Sequence, residues 1–164
     1  MKYYTGIGSR SAPIHILVRL ERFAEKLAKL GWTLRSGGAD GADSACESGC
    51  DKYNGHKEIF LPWPNFNGHS SSLNTPMKEA FEYVDHFHPR PDKLSKGAKK
   101  LHARNAHQIL GQDLKTPSKF VLCWTKSNGG TEQALRIARY YNISIFNLLY
   151  SNNENLKENG WNLK

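Results

Sequence analysis

The feature that most constrains the fold is a glycine-rich turn at residues 36–43, which reads Ser-Gly-Gly-Ala-Asp-Gly-Ala-Asp. A short apolar run at 32–35 precedes the turn and is typical of a buried strand, and residues 43–53 follow it as a predicted helix that begins with small side chains. A strand, a glycine turn and a helix start together direct free backbone N–H groups toward a point where an anion can bind.

The individual residues of this turn are compatible with a ligand-binding site and also with a strand-to-helix turn that binds no ligand. Gly37 and Gly38 permit positive φ and leave room for a ligand beside the backbone. Asp40 or Asp43 can cap the helix that follows. A tight strand-to-helix turn without a ligand is the alternative interpretation, so the rest of the chain has to decide between them.

Two further strands end in turns of the same kind. Residues 3–7 form a β-rich run that ends in Gly-Ile-Gly-Ser-Arg at 6–10, where Ser9 offers a hydroxyl and Arg10 a planar set of donors. An apolar run at 119–124 leads into a third glycine turn at 125–132. An ordinary connection with a solvated arginine is again the alternative, but three such turns favour a phosphate-bearing ligand.

Strand-like and helix-like segments alternate along the chain, and this order determines the predicted fold class. Predicted strands lie at 3–7, 32–35, 57–61, 119–124 and 143–148, and predicted helices at 13–30, 43–53, 76–84, 94–111 and 133–141, with Ser11 as the first N-cap. The sequence therefore predicts an α/β, Rossmann-like fold with a mostly parallel sheet of five or more strands and helices on both faces. We expect one domain over residues 1–150 and a polar tail at 151–164.

Composition limits the class of partner. The 164 residues carry a formal net charge of +8, which favours anionic or phosphorylated partners. Lysine and arginine are scattered, so we expect only weak, non-specific binding to nucleic acid. Three cysteines without framework spacing indicate a reducing, cytoplasmic setting, and no run of apolar residues is long enough to span a membrane. We also expect a homo-oligomer.

Two other segments are candidate parts of a ligand site. The loop at 62–75 follows the third strand, so Trp63 in that loop is predicted to stack on a base, although a corner that covers the core is the alternative. Arg104 and Asn105 lie in the middle of the predicted helix at 94–111, where Arg104 is expected to neutralise phosphate charge.

Possible metal ligands do not form a convincing set. Cys46 and Cys50 are four residues apart on one predicted helix, and His86 and His88 lie beside prolines, but neither pair has matching partners elsewhere. We predict neither a metal site nor a resident cofactor.

Four motifs together resemble those of a known superfamily. They are residues 6–10, residues 36–43, Arg104-Asn105 and Gly129-Gly130-Thr131. They are similar to the motifs of the Rossmann-like superfamily that joins the DNA-processing protein A (Smf) group to the Lonely Guy group, called SLOG. The resemblance runs from about residue 3 to residue 148.

This resemblance implies a nucleotide pocket built from the glycine turns. Members of the superfamily include single-strand DNA binders, cytokinin-activating phosphoribohydrolases and sensors of nucleotide-derived signals such as cyclic ADP-ribose. Compact stand-alone proteins of phage type also belong to it. The predicted ligand-binding residues are Gly8, Ser9, Arg10, Ser36, Gly37, Gly38, Ala39, Asp40, Asp43, Trp63, Arg104, Asn105, Thr125, Gly129, Gly130, Thr131 and Glu132.

The sequence departs from the phosphoribohydrolase motif at its acid. That motif resembles Pro-Gly-Gly-x-Gly-Thr-x-x-Glu, whereas here Ala134 stands three residues after Thr131 and the acid is Glu132. The first hypothesis is therefore a protein that binds, and in a virus would sequester, an ADP-ribose-like nucleotide, with Asp40 or Asp43 on ribose hydroxyls. The second is an N-glycosidic phosphoribohydrolase with Glu132 and Arg104 as catalytic residues. The third is a single-strand DNA binder that uses the basic surface and Trp63.

Overall fold

The computed structural model describes residues 1–150, in which strands and helices alternate. The elements are β1 (Lys2–Gly8), α1 (Ile14–Lys29), β2 (Trp32–Ser36), α2 (Ala42–Asp51), β3 (Lys57–Ile59), α3 (Ala80–Phe87), α4 (Lys96–Leu110), β4 (Phe120–Trp124), α5 (Gly129–Tyr140) and β5 (Ser144–Asn147), with short 3-10 turns at Phe66–Gly68 and Pro91–Lys93. The predicted tail at 151–164 lies outside the described residues.

The five strands form one parallel sheet in the order β3-β2-β1-β4-β5. The predicted α/β Rossmann-like fold is confirmed. Because the chain builds outward from β1 to β3 and then returns to add β4 on the other side of β1, the strand order reverses between β1 and β4. In sheets of this kind ligands bind beyond the carboxyl ends of the strands at that reversal.

Side chains of β4 alternate between two cores, one on each face of the sheet. Phe120, Leu122 and Trp124 join a core with buried residues of α1 and α2, whereas Val121 and Cys123 join a core with α3, α4 and α5. All five residues are buried because both faces of a parallel sheet are covered by helices. The helices on the two faces hold the carboxyl edge of the sheet in a fixed shape.

Several predicted boundaries were wrong in detail. The third strand ends at Ile59 rather than at residue 61, and α3 covers Ala80–Phe87 rather than 76–84. The N-cap of α1 is Pro13 and not Ser11, since the Ser11 hydroxyl lies 2.8 Å from that of Ser9 and does not cap the helix. The more important correction is that α5 begins at Gly129, so the glycines of the third turn form the first turn of a helix.

No helix among the described residues combines the length and the apolar character that crossing a membrane requires.

Candidate nucleotide-binding cleft

A cleft of about 540 Å³ opens at the carboxyl edge of the sheet, where β1 and β4 end. This volume is in the range of small-molecule sites. The predicted residues that line it are Gly8, Ser9, Arg10, Ala39, Asp43, Arg104, Asn105, Gly129, Gly130 and Thr131. The tertiary structure thus brings four separate sequence motifs to one cavity.

Seven of the predicted residues are not part of the cleft lining. They are Ser36, Gly37, Gly38, Asp40, Trp63, Thr125 and Glu132. Most of them support the residues that do line it. The hydroxyl of buried Ser36 donates to the carbonyl of Gly6 at 2.6 Å, which ties β2 to β1. Thr125 holds the end of β4 against β5 through paired hydrogen bonds with the side chain of Asn147.

The first two glycine turns pack directly against each other. The amide of Ala42 donates to the carbonyl of Ser9 at 3.3 Å, and the amide of Ser9 donates to Trp124 at 2.9 Å. Gly41 has a φ of +79°, and a Cβ there would lie 2.7 Å from backbone atoms of Ser9 and Arg10. The close approach of the two turns therefore requires glycine at position 41.

Asp43 lies buried at the junction of these turns, with 4% of its surface exposed. Its Oδ1 accepts from the amide of Gly8 at 3.3 Å and its Oδ2 from the amide of Ala39 at 3.4 Å. Asp43 does not cap α2, whose N-cap is Gly41. Burial raises the pKa of Asp43 to about 6, and the nearby Arg104 guanidinium and the amide hydrogen bonds limit that rise.

Arg104 reaches from α4 to the ends of β2 and β3 and is 6% exposed. Its Nη1 donates to the carbonyl of Gly37 and, at 3.1 Å, to that of Phe60, and its Nε donates to Asn105 at 3.0 Å. Its Nη2 donates to no other residue of the described chain. Arg104 therefore holds the second turn in place, and Nη2 is the group that it can offer to a ligand.

The N-terminus of α5 forms the opposite wall of the cleft. The side-chain amide of Asn105 donates to the carbonyl of Gly130 at 2.9 Å, which fixes this wall to α4. The first amides of a helix have no acceptor within the helix, and they carry the positive end of its dipole. Gly129, Gly130 and Thr131 all line the cleft at this point. This wall is well suited to bind an anion.

An aromatic side chain does line the cleft, but it is Phe66 and not Trp63. The Trp63 ring packs edge-on against Phe66 with centroids 5.3 Å apart, and the Arg104 guanidinium lies 5.5 Å from the Phe66 ring. Trp63 therefore supports the aromatic residue that a base would contact. The sequence could not distinguish the two rings, because both lie in one loop and only the tertiary structure brings Phe66 to the cleft lining.

Sequence reasoning missed other lining residues on α4, including Leu101 and His102. Burial, together with the nearby charges of His88, Arg136 and Arg104, lowers the pKa of His102 to about 4. The Nδ1 of His102 is buried and has no hydrogen-bond partner among the described residues. The helical spacing of these residues relative to Arg104 and Asn105 was the available signal.

Glu132 is not among the residues that line the cleft. Its Oε1 accepts from Arg139 at 2.6 Å, and Oε2 is buried without a partner in residues 1–150. The acid on which the hydrolase hypothesis depends is thus held in an ion pair with Arg139.

Gly38 has a left-handed backbone conformation with a φ of +66°, and a Cβ there would lie 2.8 Å from the side chain of buried Leu61. The steric restriction is internal to the fold.

In the described part of the chain, no group of three or more His, Cys, Asp or Glu side chains is arranged to hold a metal ion.

Two solved structures resemble this fold. DNA processing protein A from Helicobacter pylori, reported with a single-stranded DNA binding mode, superposes with a TM-score of 0.60 at 20% identity over 99% of this chain and 76% of that chain. The molybdenum cofactor carrier protein from Chlamydomonas reinhardtii gives a TM-score of 0.43 at 15% identity over 88% of each chain. No protein-family model and no curated protein sequence matches the chain. The first likeness supports the Rossmann-like class.

Proposed function

We propose that this protein binds a phosphorylated nucleoside in the cleft between β1 and β4. The observation that carries the proposal is the convergence of Arg10, Arg104 and the N-terminus of α5 on one cavity of about 540 Å³. A cavity of this size with a few polar groups that converge on it is typical of a small-molecule site. We also propose that the chain is a member of the SLOG superfamily and that its ligand resembles ADP-ribose.

The phosphate is placed at the start of α5. Free amides and the helix dipole favour negative charge there. Arg10 is exposed and lines the same cleft, so its guanidinium can reach a phosphate without loss of an internal contact. The base would lie against Phe66, whose ring Trp63 supports.

Calorimetry with AMP, ADP-ribose and adenosine tests this arrangement. Binding of AMP that is at least tenfold tighter than binding of adenosine would support a phosphate site, since charged hydrogen bonds contribute about 1.5–3 kcal/mol. Arg10→Ala should reduce that difference, whereas Arg22→Ala removes an exposed arginine of α1 and should not. Mass spectrometry of small molecules that co-purify with the protein would identify the natural ligand.

Single-strand DNA binding is the second candidate. The likeness to DNA processing protein A covers 99% of this chain, and the net charge is +8. We expect weak binding that falls steeply with salt, because released counterions drive it. Nanomolar binding of an oligonucleotide at about 200 mM salt would reverse the order of the two candidates.

The position of Glu132 favours binding over hydrolysis, because its carboxylate contacts Arg139 and does not line the cleft. The homo-oligomer stays a prediction.

A further inference from the structure

Asp43 determines what the first two glycine turns present to the cleft. Its carboxylate accepts from the amides of Gly8 and Ala39, at 3.3 and 3.4 Å. Gly8 ends β1, and Ala39 belongs to the turn after β2. Two of the amides that a phosphate could use in these two turns therefore already donate to a side chain of the protein.

A ligand at this end of the cleft meets a fixed carboxylate. Asp43 lines the cavity with only 4% of its surface exposed, and although the nearby Arg104 guanidinium offsets part of its charge, a second anion placed directly against the carboxylate oxygens would be repelled with little screening by water. A carboxylate has about four acceptor sites, and the amide bonds leave part of that capacity for a donor from the ligand. This end of the cleft favours a neutral hydroxyl over a phosphate.

The two ends of the cleft are close enough for one small ligand. β1 lies between β2 and β4 in the sheet, so the turns that follow β2 and β4 are about two strand spacings apart, or ~10 Å. A donor site for phosphate at α5 and an acceptor site at Asp43 would thus fix the orientation of a nucleotide bound in the cleft.

We infer that Asp43 makes the cleft selective for ribose over deoxyribose nucleotides by accepting a hydrogen bond from a ribose hydroxyl while the phosphate lies at the start of α5. This inference rests on the proposed function and assigns its sugar specificity to one residue. It also separates a ribonucleotide ligand from DNA, which lacks the 2′-hydroxyl.

The test is calorimetry of the full chain with AMP, 2′-deoxy-AMP and 2′,3′-dideoxy-AMP. The natural protein should bind both 2′-deoxy-AMP and dideoxy-AMP at least tenfold more weakly than AMP, because a hydrogen bond from the 2′-hydroxyl to a charged acceptor is lost. Asp43→Asn replaces the charged acceptor by a neutral one, so it should discriminate between AMP and dideoxy-AMP at least about threefold less than the natural protein does. Asp40→Asn removes an exposed carboxylate from the same turn and should keep the full discrimination.

Each result decides one of the two proposals. Equal binding of AMP and dideoxy-AMP by the natural protein would overturn the role of Asp43 and leave the proposed function intact. Unchanged discrimination in a folded Asp43→Asn variant would do the same. The analogue series needs no variant, so equal binding of AMP and 2′-deoxy-AMP by the natural protein would still overturn the inference if Asp43→Asn fails to fold by circular dichroism. Absence of binding by both AMP and ADP-ribose would overturn the proposed function itself.

Discussion

The turn after β2 and the start of α5 are both rich in glycine, but their backbone groups have different hydrogen-bond partners. In the first, Asp43 accepts amide hydrogen bonds and Arg104 donates to the carbonyl of Gly37, so the turn is held by the protein's own side chains. In the second, Asn105 donates to the carbonyl of Gly130, no side chain among residues 1–150 caps the helix start, and that helix start lines the cleft. The amides of Gly8 and Ala39 are therefore already used by Asp43, whereas the first amides of α5 have no acceptor within the helix.

Removal of Arg104 should have the largest effect. Arg104→Ala leaves the carbonyls of Gly37 and Phe60 without a buried donor and removes the cation near Asp43, so we expect a loss of roughly 3–5 kcal/mol in the free energy of unfolding. Urea denaturation measures it, with Arg22→Ala as the exposed control. A loss below about 1 kcal/mol would mean that the second turn is not held by Arg104.

The pH dependence of stability tests the buried carboxylate of Asp43. Because its folded pKa is raised to about 6, the folded state holds this proton more tightly than the unfolded chain does. The contribution of Asp43 to stability should therefore fall as pH rises from about 4 to about 6, by roughly 3 kcal/mol for two pKa units, and stay level above that.

Urea denaturation of Asp43→Asn across this pH window provides the measurement. The variant should gain stability relative to the natural protein as pH rises, and Asp40→Asn should not. Parallel profiles for Asp43→Asn and the natural protein would contradict the burial of this charge.

A pair of alanine substitutions compares the two glycine regions directly. A Cβ on Gly37 would lie 2.5 Å from Nη1 of Arg104 and 2.7 Å from Oδ2 of Asp43, so Gly37→Ala should cost about 2 kcal/mol or more. A Cβ on Gly130 meets only Asn105, at 3.9 Å, so Gly130→Ala should be neutral or stabilising by up to about 1 kcal/mol. Thermal unfolding of both variants checks this, and equal losses would show that the two regions do not differ.

The smallest effect is expected from Glu132→Gln. The Glu132–Arg139 pair is partly exposed, so the free energy of unfolding should change by less than about 1 kcal/mol. Affinity for AMP should stay within about twofold, because the side chain does not line the cleft. Chromatography of free base after incubation with AMP should detect no hydrolysis by the natural protein. Base release that Glu132→Gln abolishes would instead restore the hydrolase hypothesis.

The fold was readable from the sequence because its signals are local. Apolar runs such as residues 119–124 fit a buried strand, and the spacing of apolar residues in α1 fits a helix, so their alternation predicts a parallel sheet. The convergence of the glycine motifs follows from the same argument, since parallel strands end at one edge. The start of α5 was harder, because glycine favours a turn where tertiary packing imposes a helix.

Sequence by itself determined that the motifs around Gly8, Asp43, Arg104 and Gly130 would share the carboxyl edge of one sheet. Only the tertiary structure decided which of their groups face the cleft. That choice depends on long-range hydrogen bonds, such as the one from Arg104 to Gly37 across 67 positions of the chain. A buried polar group must find a partner, and the partner it finds depends on which elements pack together. For that reason the turn whose amides donate to Asp43 and the start of α5 are both rich in glycine in the sequence, but their amides have different partners in the structure.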